Sequence, residues 1–209
     1  MPDLAEQDDR RPLAAPAHRA RLVPAPLTAS RVLVVTGPSG VGKGTLIEAL
    51  RRRHPELRLA VSATTRQPRS GERPGREYHF LTPEEFDRRL EAGEFLEHAT
   101  YAGNRYGTLR SEVEKGDAVV LEIELQGARQ VRDALPEAVQ VFIAPPSKDV
   151  LRERLVNRGT DPPETIRARL ERAETELEAQ DEFPHAIVND DLERAVQDLV
   201  DLVATMWGR

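Results

Sequence analysis

Val32-Leu33-Val34-Val35-Thr36-Gly37-Pro38-Ser39-Gly40-Val41-Gly42-Lys43-Gly44-Thr45 is the stretch on which the fold turns. Its first five residues form a short, continuous, β-branched run of the kind found in a strand covered on both faces. The glycines that follow let the backbone curl so that successive amide hydrogens point inward. The helix expected to open behind them adds the partial positive charge of its amino end. Strand, glycine loop and helix in that order are the context a phosphate-binding loop requires. The motif assigns Gly37, Ser39, Gly40, Val41, Gly42, Lys43, Gly44 and Thr45 to ATP, with Lys43 as a full charge at the β- and γ-phosphates. It departs from the usual pattern at one place, where Gly44 follows the lysine and the hydroxyl falls to Thr45.

Outward from this loop the grain alternates. Apolar runs recur at Ala118 to Ile123, Val139 to Ala144 and Ala186 to Val188, with a weaker one at Leu57 to Val61. Between them, helix signals mark Gly44 to Arg53, Pro83 to Ala92, Gly127 to Ala134, Lys148 to Asn157, Pro163 to Gln180 and Asp191 to Met206. The pattern predicts an α/β fold of three layers around a mostly parallel, doubly wound sheet. From Val61 to Gly116 the texture changes to arginines, glycines and short strand fragments around Tyr78 to Leu81 and Phe95 to Thr100, which suggests a small mixed subdomain inserted in the sheet's sequence. Residues 1 to about 29, with Pro2, Pro12, Pro16, Pro24 and Pro26 among alanines, read as a disordered extension, and the folded domain as 30–209.

Composition sets the outer bounds. A formal net charge of −6 with 32% charged residues argues against broad attraction to nucleic acid or membranes, so any anion site must be local. With no cysteine, neither disulfides nor thiolate metal clusters are possible. No apolar run approaches membrane-spanning length, and the acidic amino terminus is unlike a secretory signal, so the expected location is cytoplasmic.

The insert carries a second constellation: Ser62-Ala63-Thr64-Thr65-Arg66-Gln67-Pro68-Arg69-Ser70-Gly71-Glu72, then Tyr78, Glu94-Phe95-Leu96-Glu97 and Gly103-Asn104-Arg105-Tyr106-Gly107-Thr108. Arg66 and Arg69, stiffened by Pro68 between them, can grip one phosphate from two sides with planar forks of donors. Taken with the phosphate loop, these blocks resemble bacterial guanylate kinase. So do Gln126-Gly127-Ala128-Arg129-Gln130-Val131, Pro145-Pro146-Ser147, the Arg-Leu-x-x-Arg-Gly-Thr stretch from Arg154 to Thr160 and Ile187-Val188-Asn189-Asp190-Asp191-Leu192.

The resemblance implies a P-loop kinase with ATP and GMP as substrates and Mg2+ accompanying the ATP. Kinases of nucleoside monophosphates commonly carry Gly-Lys-Gly-Thr, so magnesium would be held mainly by nucleotide oxygens and waters. The GMP-binding insert would cover about 62–115 and a helical lid about 148–180. Arg66, Arg69, Tyr78 and Tyr106 would hold the GMP phosphate. Ser62, Glu97 and Thr108 would read the base, the carboxylate accepting from guanine N1 and the exocyclic amine while a hydroxyl donates to O6. Lys43, Arg66, Arg154 and Arg158 would be catalytic; Arg154, Arg158 and Arg169, in the lid and its anchoring helix, would close over ATP and neutralise charge on the transferring phosphoryl group, and Asn189 would contact the adenine end. Glu122 and Glu124, two residues apart and so on one face of a strand, would orient water around magnesium or touch GMP. The family usually has Asp at the second of these places, so Glu124 is one methylene longer than the pattern. Transfer would be direct and in line, with no covalent enzyme intermediate. Two other readings stand beside this one: a non-catalytic module of the same fold that binds phosphopeptides, and a kinase for another phosphorylated small molecule. Lys43 counts against the first, and Ser62, Glu97 and Thr108 against the second.

Overall fold

A computed structural model describes residues 31–157 and 163–207. The extension over 1–29 and Arg158 therefore lie outside the described residues.

Five strands build the central sheet: β1 (Arg31–Thr36), β2 (Arg58–Leu59), β7 (Ala118–Glu122), β8 (Val139–Ala144) and β9 (His185–Val188), in the order β2-β7-β1-β8-β9 with every pairing parallel. The unbroken apolar run of β1 has a simple cause. Leu33 and Val35 pack with α1 (Lys43–Arg53), α5 (Lys148–Asn157) and α7 (Leu192–Trp207) on one side of the sheet. Val32 and Val34 face the opposite cluster, with Ala128 and Val131 of α4 (Leu125–Ala134) and Phe183 beyond α6 (Pro163–Glu178). Both faces are covered, so alternation with polar residues would bury unpaired groups. No described helix is long and apolar enough to cross a membrane.

A second sheet, ordered β4-β3-β6-β5, is mixed. It joins β3 (Ala63–Thr64), β4 (His79–Phe80), β5 (Phe95–Tyr101) and β6 (Asn104–Leu109), flanked by α2 (Pro83–Glu91) and the single turn α3 (Arg110–Val113). Its small core holds Ala63, Phe86, Phe95 and Leu109, with the Phe86 and Phe95 rings stacked at 4.3 Å. Helix α2 is started by Thr82, whose side chain accepts from the Glu85 amide at 3.1 Å ahead of Pro83.

Most boundaries agree with the sequence reading to within two residues, and three differences bear on the site. Strand β6 falls where the Gly-Asn-x-Tyr-Gly-Thr block suggests no strand, because its pairing with β5, from Phe95↔Leu109 to Tyr101↔Asn104, overrides a turn-rich composition. Helix α4 starts at Leu125, two residues early. Strand β7 ends at Glu122, so Glu124 follows the strand and caps α4 instead of sharing a strand face with Glu122.

Candidate active site

The loop after β1 depends on two glycines. At Gly37 (φ 135°) a Cβ would stand 2.2 Å from the Ile143 carbonyl oxygen, and at Gly42 (φ 101°), just ahead of α1, 2.6 Å from Asn189 Nδ2. Neither position admits a side chain without moving the loop. Lys43 opens α1, and its Nζ donates to the Gly37 oxygen at 2.7 Å and the Pro38 oxygen at 3.1 Å, which fixes the ammonium across the loop's mouth.

A cavity of about 380 Å³ runs from this loop to the second sheet. Gly37, Ser39 and Lys43 line one end, Ser62, Arg66, Arg69, Tyr78, Glu97 and Tyr106 the other, with Glu122, Glu124 and Arg169 between. Thr108 joins through a neighbour, since its Oγ1 donates to Glu97 Oε1 at 2.7 Å. A bulge makes that pair. Between Phe95 and Glu97 the β5 register shifts against β6, which sets Glu97 opposite Thr108. On the far side Gly127 leaves room: a Cβ there would lie 2.5 Å from Glu97 Oε2.

Glu97 is only 4% exposed. Burial pushes its carboxyl up to about 7; the Thr108 hydroxyl opposes this and the charge of Glu124 adds to it. A buried acid with one side-chain donor is poised to accept more. At the arginine-rich end, Arg66 donates to Glu72 Oε1 at 2.9 Å and to the Gln67 oxygen at 2.7 Å, and its guanidinium lies 5.3 Å over the Tyr78 ring. Glu72 also accepts from the Arg69 amide at 2.7 Å, so one carboxylate shapes the loop between the two arginines. It holds the Arg66 guanidinium above its ordinary value. The Tyr78 and Tyr106 rings meet edge to face at 6.0 Å, which brings both phenols to the same wall. Thus one end of the cavity offers a glycine-lined loop with an ammonium across it, and the other two guanidiniums and two phenols beside a buried carboxylate.

This geometry has relatives. A family model described as guanylate kinase matches residues 29–206. A guanylate kinase of Synechococcus sp. (strain JA-3-3Ab) is 53% identical over 182 residues, covering 85% of this chain and 84% of that one. One from Frankia casuarinae is 55% identical over 174 residues, 81% of this chain and 95% of its own. The crystal structure of guanylate kinase from Anaplasma phagocytophilum superposes with a TM-score of 0.66 at 32% identity, over 84% of this chain and 85% of that one. The chain belongs to the guanylate kinase family.

In this member of the guanylate kinase family the arginines beyond β8 divide between two helices. Arg154, on α5, reaches the phosphate loop from behind: Nη1 donates to the Val41 oxygen at 3.3 Å and Nη2 to the Asn189 oxygen at 3.0 Å. Asn189 returns the contact, its Nδ2 donating to the Val41 oxygen at 2.8 Å. The side chain expected at the adenine end is thus engaged with the loop backbone, as a brace under Gly42. Arg169, on α6, lines the cavity. Glu122, at the end of β7, lies beside the first turn of α1, 3.6 Å from where a Cβ on Gly44 would sit. Glu124 is held by Arg172; burial raises its carboxyl, Arg172 and Lys43 opposing and Glu176 adding.

Sequence reasoning passed over Glu72, Tyr101, Arg172 and Glu176 as site residues. Glu72 sits inside the quoted arginine block and could have been paired with Arg66. Arg172 and Glu176 are spaced four apart on α6, and an i,i+4 pair of opposite charge is by itself the ordinary pattern of a solvated helix face.

Proposed function

We propose that this chain transfers the γ-phosphoryl group of ATP to GMP, forming ADP and GDP, by direct in-line attack of the GMP phosphate. The observation that carries this reading is Glu97, buried, bonded to Thr108 and facing a cavity whose other end is the Lys43 loop. Guanine presents two adjacent donors, N1–H and the exocyclic amine, that one carboxylate can accept together, with Ser62 as a hydroxyl partner and Thr108 steadying the carboxylate through Oε1. Adenine lacks that pair of donors, so an adenine in this position would strand a buried acceptor.

Arg66, Arg69, Tyr78 and Tyr106 would hold the GMP phosphate and Lys43 the transferring group, leaving the reaction mainly a matter of positioning and charge compensation. Arg154 and Arg158 would add positive charge at the ATP side, with Asn189 steadying the loop. Magnesium is the metal we assign to the ATP. Oxygen donors suit it, and the Glu122 carboxylate beside Gly44, the Thr45 hydroxyl and, at greater remove, Glu124 are the groups that would hold it or its waters, neutralising charge on the β- and γ-phosphates. The working division is a GMP-binding insert over about 62–115 and a lid over about 148–180, both closing to exclude water, in a cytoplasmic enzyme.

A coupled assay of ADP formation with ATP and magnesium, offering GMP, AMP, UMP or no acceptor, tests the reading on the wild type beside Glu97→Ala. Turnover with GMP alone, lost in the variant, is the expected result. Folded protein that binds GMP without turnover would overturn the kinase assignment in favour of a binding module.

A further inference from the structure

Arg172 touches three parts of the molecule at once. It stands on α6, where its Nε donates to Glu176 Oε1 at 3.1 Å. Its Nη2 donates to Glu124 Oε2, at the head of α4. Its guanidinium carbon lies 4.5 Å over the ring of Tyr101, the last residue of β5 in the second sheet. The Tyr101 ring in turn meets Tyr106 edge to face at 6.3 Å, and Tyr106 belongs to the phosphate-gripping wall. Tyr101, Glu124 and Glu176 all line the 380 Å³ cavity.

The carboxylates show what the guanidinium does. Glu124 and Glu176 are like charges in a partly desolvated place, and bringing them together is unfavourable unless a cation stands between. Arg172 supplies that cation with a planar fork, engaging one oxygen of each. The other two oxygens, Glu124 Oε1 and Glu176 Oε2, are buried without a hydrogen-bond partner. A buried, unmatched acceptor is costly, and here are two, on residues that line the cavity, which the fork of Arg172 alone leaves unsatisfied. Glu124 also has one more torsion to fix than the Asp of the family pattern at that place, and the bond to Arg172 fixes it.

We propose that Arg172 is a positioning residue of the acceptor site: it clamps Glu124 and Glu176 with one acceptor oxygen of each free, and ties helix α6 to the second sheet through Tyr101. Resting on the GMP reading, this makes occupancy of the acceptor end and the placement of α6 one coupled event. A lysine cannot replace it, because an ammonium lacks both the fork and the flat face that stacks on a ring.

The test is steady-state kinetics with separate GMP and ATP titrations, GMP binding by calorimetry, and a thermal unfolding control, on wild type, Arg172→Met, Arg172→Lys, Tyr101→Leu and the Arg172→Met/Tyr101→Leu double variant. Arg172→Met should lower kcat/KM for GMP by about 10- to 100-fold, the range for losing charge-assisted hydrogen bonds, with KM for ATP moved less than about threefold. Arg172→Lys should recover only part of the loss. Tyr101→Leu should cost about 3- to 10-fold, and the double variant should be no worse than Arg172→Met alone. Equal losses toward ATP and GMP that follow the unfolded fraction, unchanged GMP kinetics in Arg172→Met, full rescue by lysine, or additive losses in the double variant would each overturn the proposal. Should Arg172→Met fail to fold, Arg172→Lys and Tyr101→Leu decide it by the same criteria. Failure of the wild type to phosphorylate GMP would instead sink the functional reading, and the calorimetric GMP affinities of the variants would then judge Arg172 separately.

Discussion

Glu97 and Glu112 lie in the same segment between β2 and β7 and are equally hidden from solvent, 4% and 1% exposed, yet their chemistry is opposite. Glu97 has one side-chain donor, Thr108, and burial pushes it up to about 7. Burial also pushes Glu112 upward. There, however, it is outweighed by donation from Lys115, the Val61 amide at 3.1 Å, Arg58 at 2.9 Å and His79 at 2.9 Å, which hold the carboxyl at about 2. Glu112 is saturated. Its partners other than the neighbouring Lys115 come from β2, β4 and the link after β2, so it fastens the second sheet to the first. Burial alone therefore does not single out an acid open to a ligand. A deficit of donors at a cavity wall is what sets Glu97 apart, and a full complement fits Glu112 to a structural joint.

The contrast is sharpened most by Glu97→Gln. Gln keeps one acceptor but turns an amide NH2, itself a donor, toward the donors of guanine, so kcat/KM for GMP should fall by about 10³- to 10⁴-fold. The same change should stabilise the protein. Because the folded carboxyl titrates above its ordinary 4.5, its contribution to stability is complete below that pH and lost as pH rises through about 7. At pH 8 the variant should thus unfold later than wild type, by up to about 3 kcal/mol in a denaturant titration. A loss of both activity and stability would break the comparison.

Glu112→Ala should do the reverse. It leaves Arg58, His79, Lys115 and the Val61 amide without their shared acceptor, at a cost of about 3 kcal/mol in chemical denaturation, while KM for GMP in properly folded protein shifts less than about threefold. The sign of its pH dependence is also opposite. Its folded carboxyl lies below 4.5, so the stabilisation is full above that value and disappears as pH falls toward 2. Acid unfolding of the variant should accordingly flatten over that window. A selective rise in KM for GMP would show that the joint is part of the site after all.

The smallest effect is expected from Gly127→Ala. The added methyl would stand 2.5 Å from Glu97 Oε2 and must displace the end of that side chain, raising KM for GMP by about tenfold. In helix α4 the same change removes a glycine, worth about 0.5 to 1 kcal/mol of added stability. An unchanged KM would mean that Glu97 can move without consequence, against the reading of it as a fixed reader of the base.

How much of this was legible beforehand follows from the range of the interactions. The phosphate loop and the strands β1, β7 and β8 could be read because their signals are local: a glycine spacing, a continuous apolar run, a helix start. Arg66, Arg69, Tyr78, Glu97 and Tyr106, placed by resemblance, line one end of one cavity. What stayed hidden depends on pairing across the chain. Nothing in Asn104 to Leu109 reads as a strand until β5 lies beside it. Arg172 looks like half of an exposed pair with Glu176 until Glu124, 48 residues earlier, comes within reach. The saturation of Glu112 needs donors separated from it by up to 54 residues. Periodicity sees neighbours along one element and is blind to partners brought by topology.

The chain leaves the parallel sheet after β2 and returns at β7, and those two strands are neighbours, with Arg58 beside Val119 and Leu59 beside Val120. Glu97, Thr108, Arg66, Arg69, Tyr78 and Tyr106, which the proposed reading assigns to the acceptor, are thereby a cassette hung on a single edge, while the loop that carries Lys43 follows a strand further in. Such a plan lets heredity, or an engineer, exchange the vocabulary of substrates without rewriting the grammar of transfer.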